Sequence, residues 1–155
     1  MVIIKKSVIA VWLVALACVA PVRAVPPQDL ASMLDKTGYN YRKVDKDVWE
    51  IKFTGKNLPE FPVRIVQADD ITILMTKLAD RKDLVHTEGL YIKLLELNDS
   101  MDNIKFAISK DMLYGRIEMH TRVINEAELK YLLEQMSGAI DEAYPQIKQY
   151  LGNQH

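Results

Sequence analysis

The chain has 155 residues, with 20 basic against 21 acidic side chains and a net charge of -1. That balance, with no basic run longer than Tyr41-Arg42-Lys43, argues against nucleic acid as a partner, because polyanion binding needs a stripe of Lys and Arg to neutralise phosphates. Cys18 is the single cysteine, so neither an intrachain disulfide nor a cysteine-based metal cluster can form.

Met1 to Lys6 carries Lys5 and Lys6 and no acid, and an uncharged apolar run from Ser7 to Ala20 follows. Pro21 and Val22-Arg23-Ala24 then complete the three-part pattern of a secretory signal peptide, residues 1–24, with cleavage predicted after Ala24. An uncleaved anchor is the alternative, but a spanning helix needs about 20 apolar residues and this run stops short at Pro21 and Arg23. Lipid attachment at Cys18 is a second alternative, although in Ala15-Leu16-Ala17 the leucine stands one position late for that motif. Cleavage removes Lys5, Lys6, Arg23 and Cys18 and no acid. Residues 25–155 then hold 17 basic and 21 acidic side chains, a net charge of -4. The expected compartment is a Gram-negative periplasm or the cell exterior, with no stable membrane anchor left after cleavage. Asn98-Asp99-Ser100 matches a glycosylation acceptor, which matters only in a eukaryotic host.

Residues 25–155 show no repeat or linker and read as one domain. Pro26-Pro27 precedes an amphipathic helix, Gln28 to Lys36, with Leu30, Met33 and Leu34 on one face and Gly38 as its stop. The period then changes to two. Tyr39 to Lys43 reads as a short edge strand. Trp49, Ile51 and Phe53 face a core, and Val48, Glu50 and Lys52 face water. Val63 to Gln67 forms the next strand. Asp69-Asp70 turns into Ile71 to Leu78, where Ile71, Ile73 and Met75 share the expected core face. Connections this short imply antiparallel hairpins.

Thr87 to Leu97 is helical in pattern, with Leu90, Leu94 and Leu97 in a stripe that Tyr91 and Leu95 widen, and Asn98-Asp99 as its end. Ile104 to Ile108 and Met112 to Thr121 form a strand pair around Lys110-Asp111. A last helix starts at Asn125, whose spacing to Glu128 fits a reciprocal capping box, with Ile124 and Leu129 as a hydrophobic staple. Its face from Leu129 to Leu151 is apolar. Pro145 predicts a kink, or an ending and restart, near Ala143. The sum is an α+β domain of three helices on an antiparallel sheet of five to six strands, in the order α-β(3–4)-α-ββ-α.

Leu94-Leu95-Glu96-Leu97-Asn98 closing a helix, the strand Ile104-Lys105-Phe106-Ala107-Ile108, the strand Leu113-Tyr114-Gly115-Arg116-Ile117 and the long Leu-rich final helix together resemble the YbjN family of bacterial proteins. The resemblance runs from about Leu30 to Leu151. It implies a fold similar to type III secretion chaperones and a protein- or peptide-binding module that is often dimeric. It carries no functional residue with it. An export signal sets this chain apart from the cytoplasmic chaperones that share the fold.

Catalytic patterns are missing from the sequence. His86, His120 and His155 have no ligand spacing for zinc. Asp69-Asp70 suits a turn, and Glu126 and Glu128 suit the first turn of a helix. No serine lies in a G-x-S-x-G elbow, and no glycine-rich loop could cradle phosphate. The chain therefore reads as non-enzymatic, with no cofactor and no metal. Apolar residues on the strand faces assigned to solvent, namely Val66, Leu74, Leu78, Met112 and Tyr114, mark a candidate partner surface. The rival reading is a periplasmic small-ligand or lipid carrier, or an unrecognised hydrolase, built on a pocket between sheet and helices.

Overall fold

In the computed structural model, which describes residues 29–152, Asp29 accepts the Ala31 N–H at 3.1 Å and caps α1 (Leu30–Thr37). The signal segment, Pro26-Pro27 and His155 lie outside the described residues. Gly38, at φ 80°, ends α1 in the left-handed conformation that glycine adopts without strain. Four strands follow: β1 (Tyr41–Asp45), β2 (Val48–Phe53), β3 (Phe61–Ala68) and β4 (Ile71–Asp80). Then come α2 (Glu88–Ser100), β5 (Lys105–Ile108), β6 (Met112–His120) and α3 (Glu126–Lys148). The predicted class and element order stand, with four strands in the first run and six in all.

The strands form one antiparallel sheet in the order β1-β2-β3-β4-β6-β5. The β5–β6 hairpin enters it β6 first, so β6 lies beside β4 and β5 becomes an edge. α3 packs across β3, β4 and β6, with α1 against it on one side and α2 against it and β5 on the other. One hydrophobic core lies between the two layers. The sheet supplies Trp49, Ile51, Val63, Ile65, Leu74, Phe106, Leu113 and Ile117, and the helices supply Leu30, Leu34, Leu90, Leu94 and the stripe from Leu129 to Ile147. Gly115 belongs to this face. A Cβ there would sit 2.7 Å from Ile140 Cδ1, so only glycine lets α3 approach so closely.

The core face of β4 is the reverse of the expected one. Ile65 pairs with Leu74 across the hairpin, and Leu74 with Ile117, so Thr72, Leu74 and Thr76 point at the helices. Ile71, Ile73 and Met75 point away. The two threonines are buried without loss: Thr72 Oγ1 and Thr121 Oγ1 share a hydrogen bond of 3.0 Å, and Thr76 Oγ1 donates to Pro62 O at 3.1 Å. Glu50 also departs from expectation. It lies on the outward face of β2 yet is only 4% exposed, because two arginines cover it.

α2 runs on through Asn98-Asp99 to Ser100. The capping box at α3 is made one way, with Asn125 Oδ1 accepting the Glu128 N–H at 2.9 Å. α3 neither ends nor restarts at Pro145. That proline lacks the N–H that would bond to Asp141 O, and the freed carbonyl accepts Asn57 Nδ2 at 3.1 Å instead. The Asp141 carboxylate takes the backbone N–H groups of Leu58, Asn57 and Lys56 at 2.8, 2.7 and 3.0 Å. The β2–β3 loop is thus docked on α3 through one residue. Gly55 is needed there, since a Cβ would collide with the Asp141 carboxylate.

These N–H groups hold the Asp141 pKa below its ordinary value, with Leu58 contributing most. A depressed native pKa means that the charged form favours the folded state. The contribution is full well above the unfolded value of 3.8 and disappears as pH falls through the lower native value. Asp141→Ala is therefore expected to lower the urea midpoint at neutral pH. It should also flatten the wild-type fall in that midpoint between about pH 5 and pH 3. An unchanged acid slope would show that the loop anchor carries no such linkage.

Candidate functional site

All three helices lie on one side of the sheet, which leaves its other face without a covering layer among the described residues. Its composition follows from strand alternation. One row crosses the strands as Val48, Val66, Ile73 and Glu118. The next runs Arg64, Met75, Arg116 and Lys105, and a third Lys77, Tyr114 and Ala107. Val48, Val66, Ile73, Met75, Met112 and Tyr114 are half-buried, lapped by each other and by the long cationic side chains. Arg116 stands 5.7 Å from the Tyr114 ring centre, within cation–π range.

Of the five residues picked out from sequence, this face holds Val66, Met112 and Tyr114. Leu74 is a correction: it is fully buried in the core, because the two-residue turn at Asp69-Asp70 sets it opposite Ile65. Leu78 is the second. It shares the inward parity of Leu74 and Thr76 and packs against the core, and the register shift between Lys77 and Ala79 brings Ala79 to the same side. Ile73, Met75 and Arg64 replace them on the outer face. The signal that could have found them is the hairpin turn, whose length fixes which residue of β4 faces Ile65.

Glu50 organises the polar side of the surface. Its Oε1 accepts from Arg42 Nη2 at 2.6 Å and Nε at 3.0 Å, and its Oε2 from Arg64 Nε at 3.2 Å. Arg42 above all, then Arg64, keep the carboxyl below the usual carboxylate range against the opposing effect of burial. One carboxylate thus fixes two guanidinium groups and leaves a net positive cluster.

Both sheet edges are blunted. β1 has five residues and exposes Arg42, Lys43 and Asp45. On the β5 edge the Asn98 side chain acts as a substitute strand: Oδ1 accepts the Phe106 N–H at 2.6 Å and Nδ2 donates to Phe106 O at 3.0 Å. The amide of the Asn98-Asp99-Ser100 triplet is therefore engaged in the fold.

A second apolar surface lies on α2. Tyr91 and Leu95, expected in the core stripe, are 47% and 68% exposed, with Ile92 and Val85 beside them. α2 has too many apolar positions for one buried face, so Leu90, Leu94 and Leu97 take the core and the others stand out. His86 Nδ1 and Tyr91 Oη lie 2.9 Å apart. His120 pairs with Asp70 at 3.5 Å on the surface. Among the described residues no three His, Cys, Asp or Glu side chains converge as a metal site, and no helix is long and apolar enough to cross a membrane.

These features define a two-layer α+β protein with a YbjN-like fold. The chain is similar to the crystal structure of YbjN from E. coli, described as a candidate transcription regulator, with a TM-score of 0.57 and 16% identity over 79% of this chain and 92% of that one. No protein-family model and no curated protein sequence matches the chain.

Proposed function

We propose that this is an exported, non-enzymatic module that binds a protein or peptide partner on the outer face of its sheet. The observation that carries the reading is the uncovered face itself, with Val66, Ile73, Met75, Met112 and Tyr114 on one side of a sheet whose other side holds all three helices. A solvated sheet face is ordinarily polar. The blunted edges favour docking on the face over strand addition. The YbjN-like fold agrees with a binding or regulatory role, and the resemblance to secretion chaperones points to a protein ligand.

The same resemblance implies a homodimer, for which the apolar face of α2 is the fitting surface. A monomeric mass by light scattering would refute it. Export places the partner in the periplasm or outside the cell, and it predicts a purified protein that begins at Val25. A full-length N-terminus on cytoplasmic protein would contradict export.

The docking face is tested by capture from a periplasmic extract with wild type and a Val66→Asp/Tyr114→Asp variant, each confirmed native by circular dichroism. A partner retained by wild type and lost by the variant is expected. Identical sets of bound proteins would remove the outer face from consideration.

A further inference from the structure

We propose that the partner seats an acidic side chain, flanked by apolar ones, in a pocket on the outer face formed by Pro62, Arg64, Met75, Lys77 and Met112. The proposal rests on the reading of that face as the docking surface and adds the chemistry of its occupant. The pocket has a volume of about 210 Å³. Sites for free small molecules run to about 300–1,000 Å³, so this one fits a side chain better than a metabolite. Two larger hollows, of about 510 Å³ beside Met33 and Ala127 and about 550 Å³ beside Arg81 and Lys110, are shallow and open.

The lining contains two cations and no carboxylate. Arg64 is held through Nε by Glu50, and its two terminal amino groups have no hydrogen-bond partner among the described residues. They form the half of a guanidinium fork that pairs with carboxylates. Glu50 cannot itself satisfy the site, because it lies beneath Arg42 and Arg64 and is already neutralised by both. Lys77 pairs with Asp80 at 2.7 Å, with both side chains nearly half exposed. Such an exposed, screened pair contributes little and yields easily to a partner carboxylate. Met75, Met112 and Pro62 supply apolar walls, and the two methionines can adjust to the stem of the incoming residue. Charge complementarity sharpens the choice: a positive site stands on a domain of net charge -4.

The test pans a displayed library of random linear peptides against the immobilised protein and measures recovered peptides by fluorescence anisotropy. Recovered sequences should converge on Asp or Glu between apolar residues. Replacing that acid by its amide, or introducing Arg64→Gln with Lys77→Gln, should weaken binding about tenfold or more. If Arg64→Gln fails to fold by freeing Glu50, Lys77→Gln alone carries the comparison. Binders without an acidic consensus, or indifferent to the glutamine variants, overturn the pocket proposal while leaving the face intact. Binders unaffected by Val66→Asp/Tyr114→Asp, or no binders at all, overturn both. Decanoate that displaces the peptides with the same Arg64 dependence would make a fatty acid the occupant and overturn the peptide assignment.

Discussion

Leu74→Asp is expected to abolish folding, whereas Ile73→Asp, one residue away, leaves a native protein. Leu74 is completely buried between Ile65 and Ile117 beneath α3. Removing its side chain alone costs about 3–5 kcal/mol, and a carboxylate in its place adds several more because nothing there can pair with it. The sum approaches the whole stability of an ordinary domain, about 5–15 kcal/mol. Ile73 sits on the outer face, half-exposed and opposite Val66 and Glu118. Aspartate there loses strand propensity and some contact, about 1 kcal/mol. Far-ultraviolet circular dichroism and thermal melts distinguish the two variants directly. The opposite result would mean that β4 is turned over in the sheet.

Asn98→Ala is expected to destabilise the protein by about 2–3 kcal/mol, since two hydrogen bonds of roughly 1 kcal/mol are lost and both Phe106 backbone groups lose their partner. The effect goes beyond stability. Without the Asn98 amide, the outer edge of β5 presents a free N–H and C=O to any other strand, which favours edge-to-edge association. A lowered urea midpoint together with concentration-dependent higher-mass species by light scattering would confirm both parts. A variant as stable and as dispersed as wild type would show that Asn98 does not seal this edge. Asn98→Ala leaves the outer-face pocket untouched, so it separates edge pairing from face docking in any binding assay.

Local patterns made most of the architecture legible. The cap at Asn125, the glycine stop at Gly38 and the two-residue turn at Asp69-Asp70 depend on backbone groups a few residues away. They can be read one stretch at a time, and they deliver three helices, five to six strands and their order. β4 shows where this ends. Its alternate positions, Ile71, Ile73 and Met75 against Thr72, Leu74 and Thr76, favour the wrong face on hydrophobicity alone. The threonines are tolerated inside because Thr121 and the Pro62 carbonyl reach them, and both arrive from other parts of the chain.

The candidate site was half visible for the same reason. Val66, Met112 and Tyr114 were recognisable as apolar residues opposite a core face, whereas Leu74, and Leu78 with the same parity, needed the hairpin register to be placed. Glu50 read as solvated because its partners, Arg42 and Arg64, lie eight and fourteen residues away on neighbouring strands. Pro145 read as a break because Asn57, which takes over the carbonyl it frees, is remote in sequence.

What the sequence determined by itself is the fold class and element order; it also raised the expectations of a single domain, of no catalytic or polyanion-binding pattern, and of an export signal ahead of residue 25. Only the tertiary structure decided which face of the sheet the helices cover. That choice follows from strand order and register, above all from β6 entering beside β4. Burial on one side is what leaves the other side open.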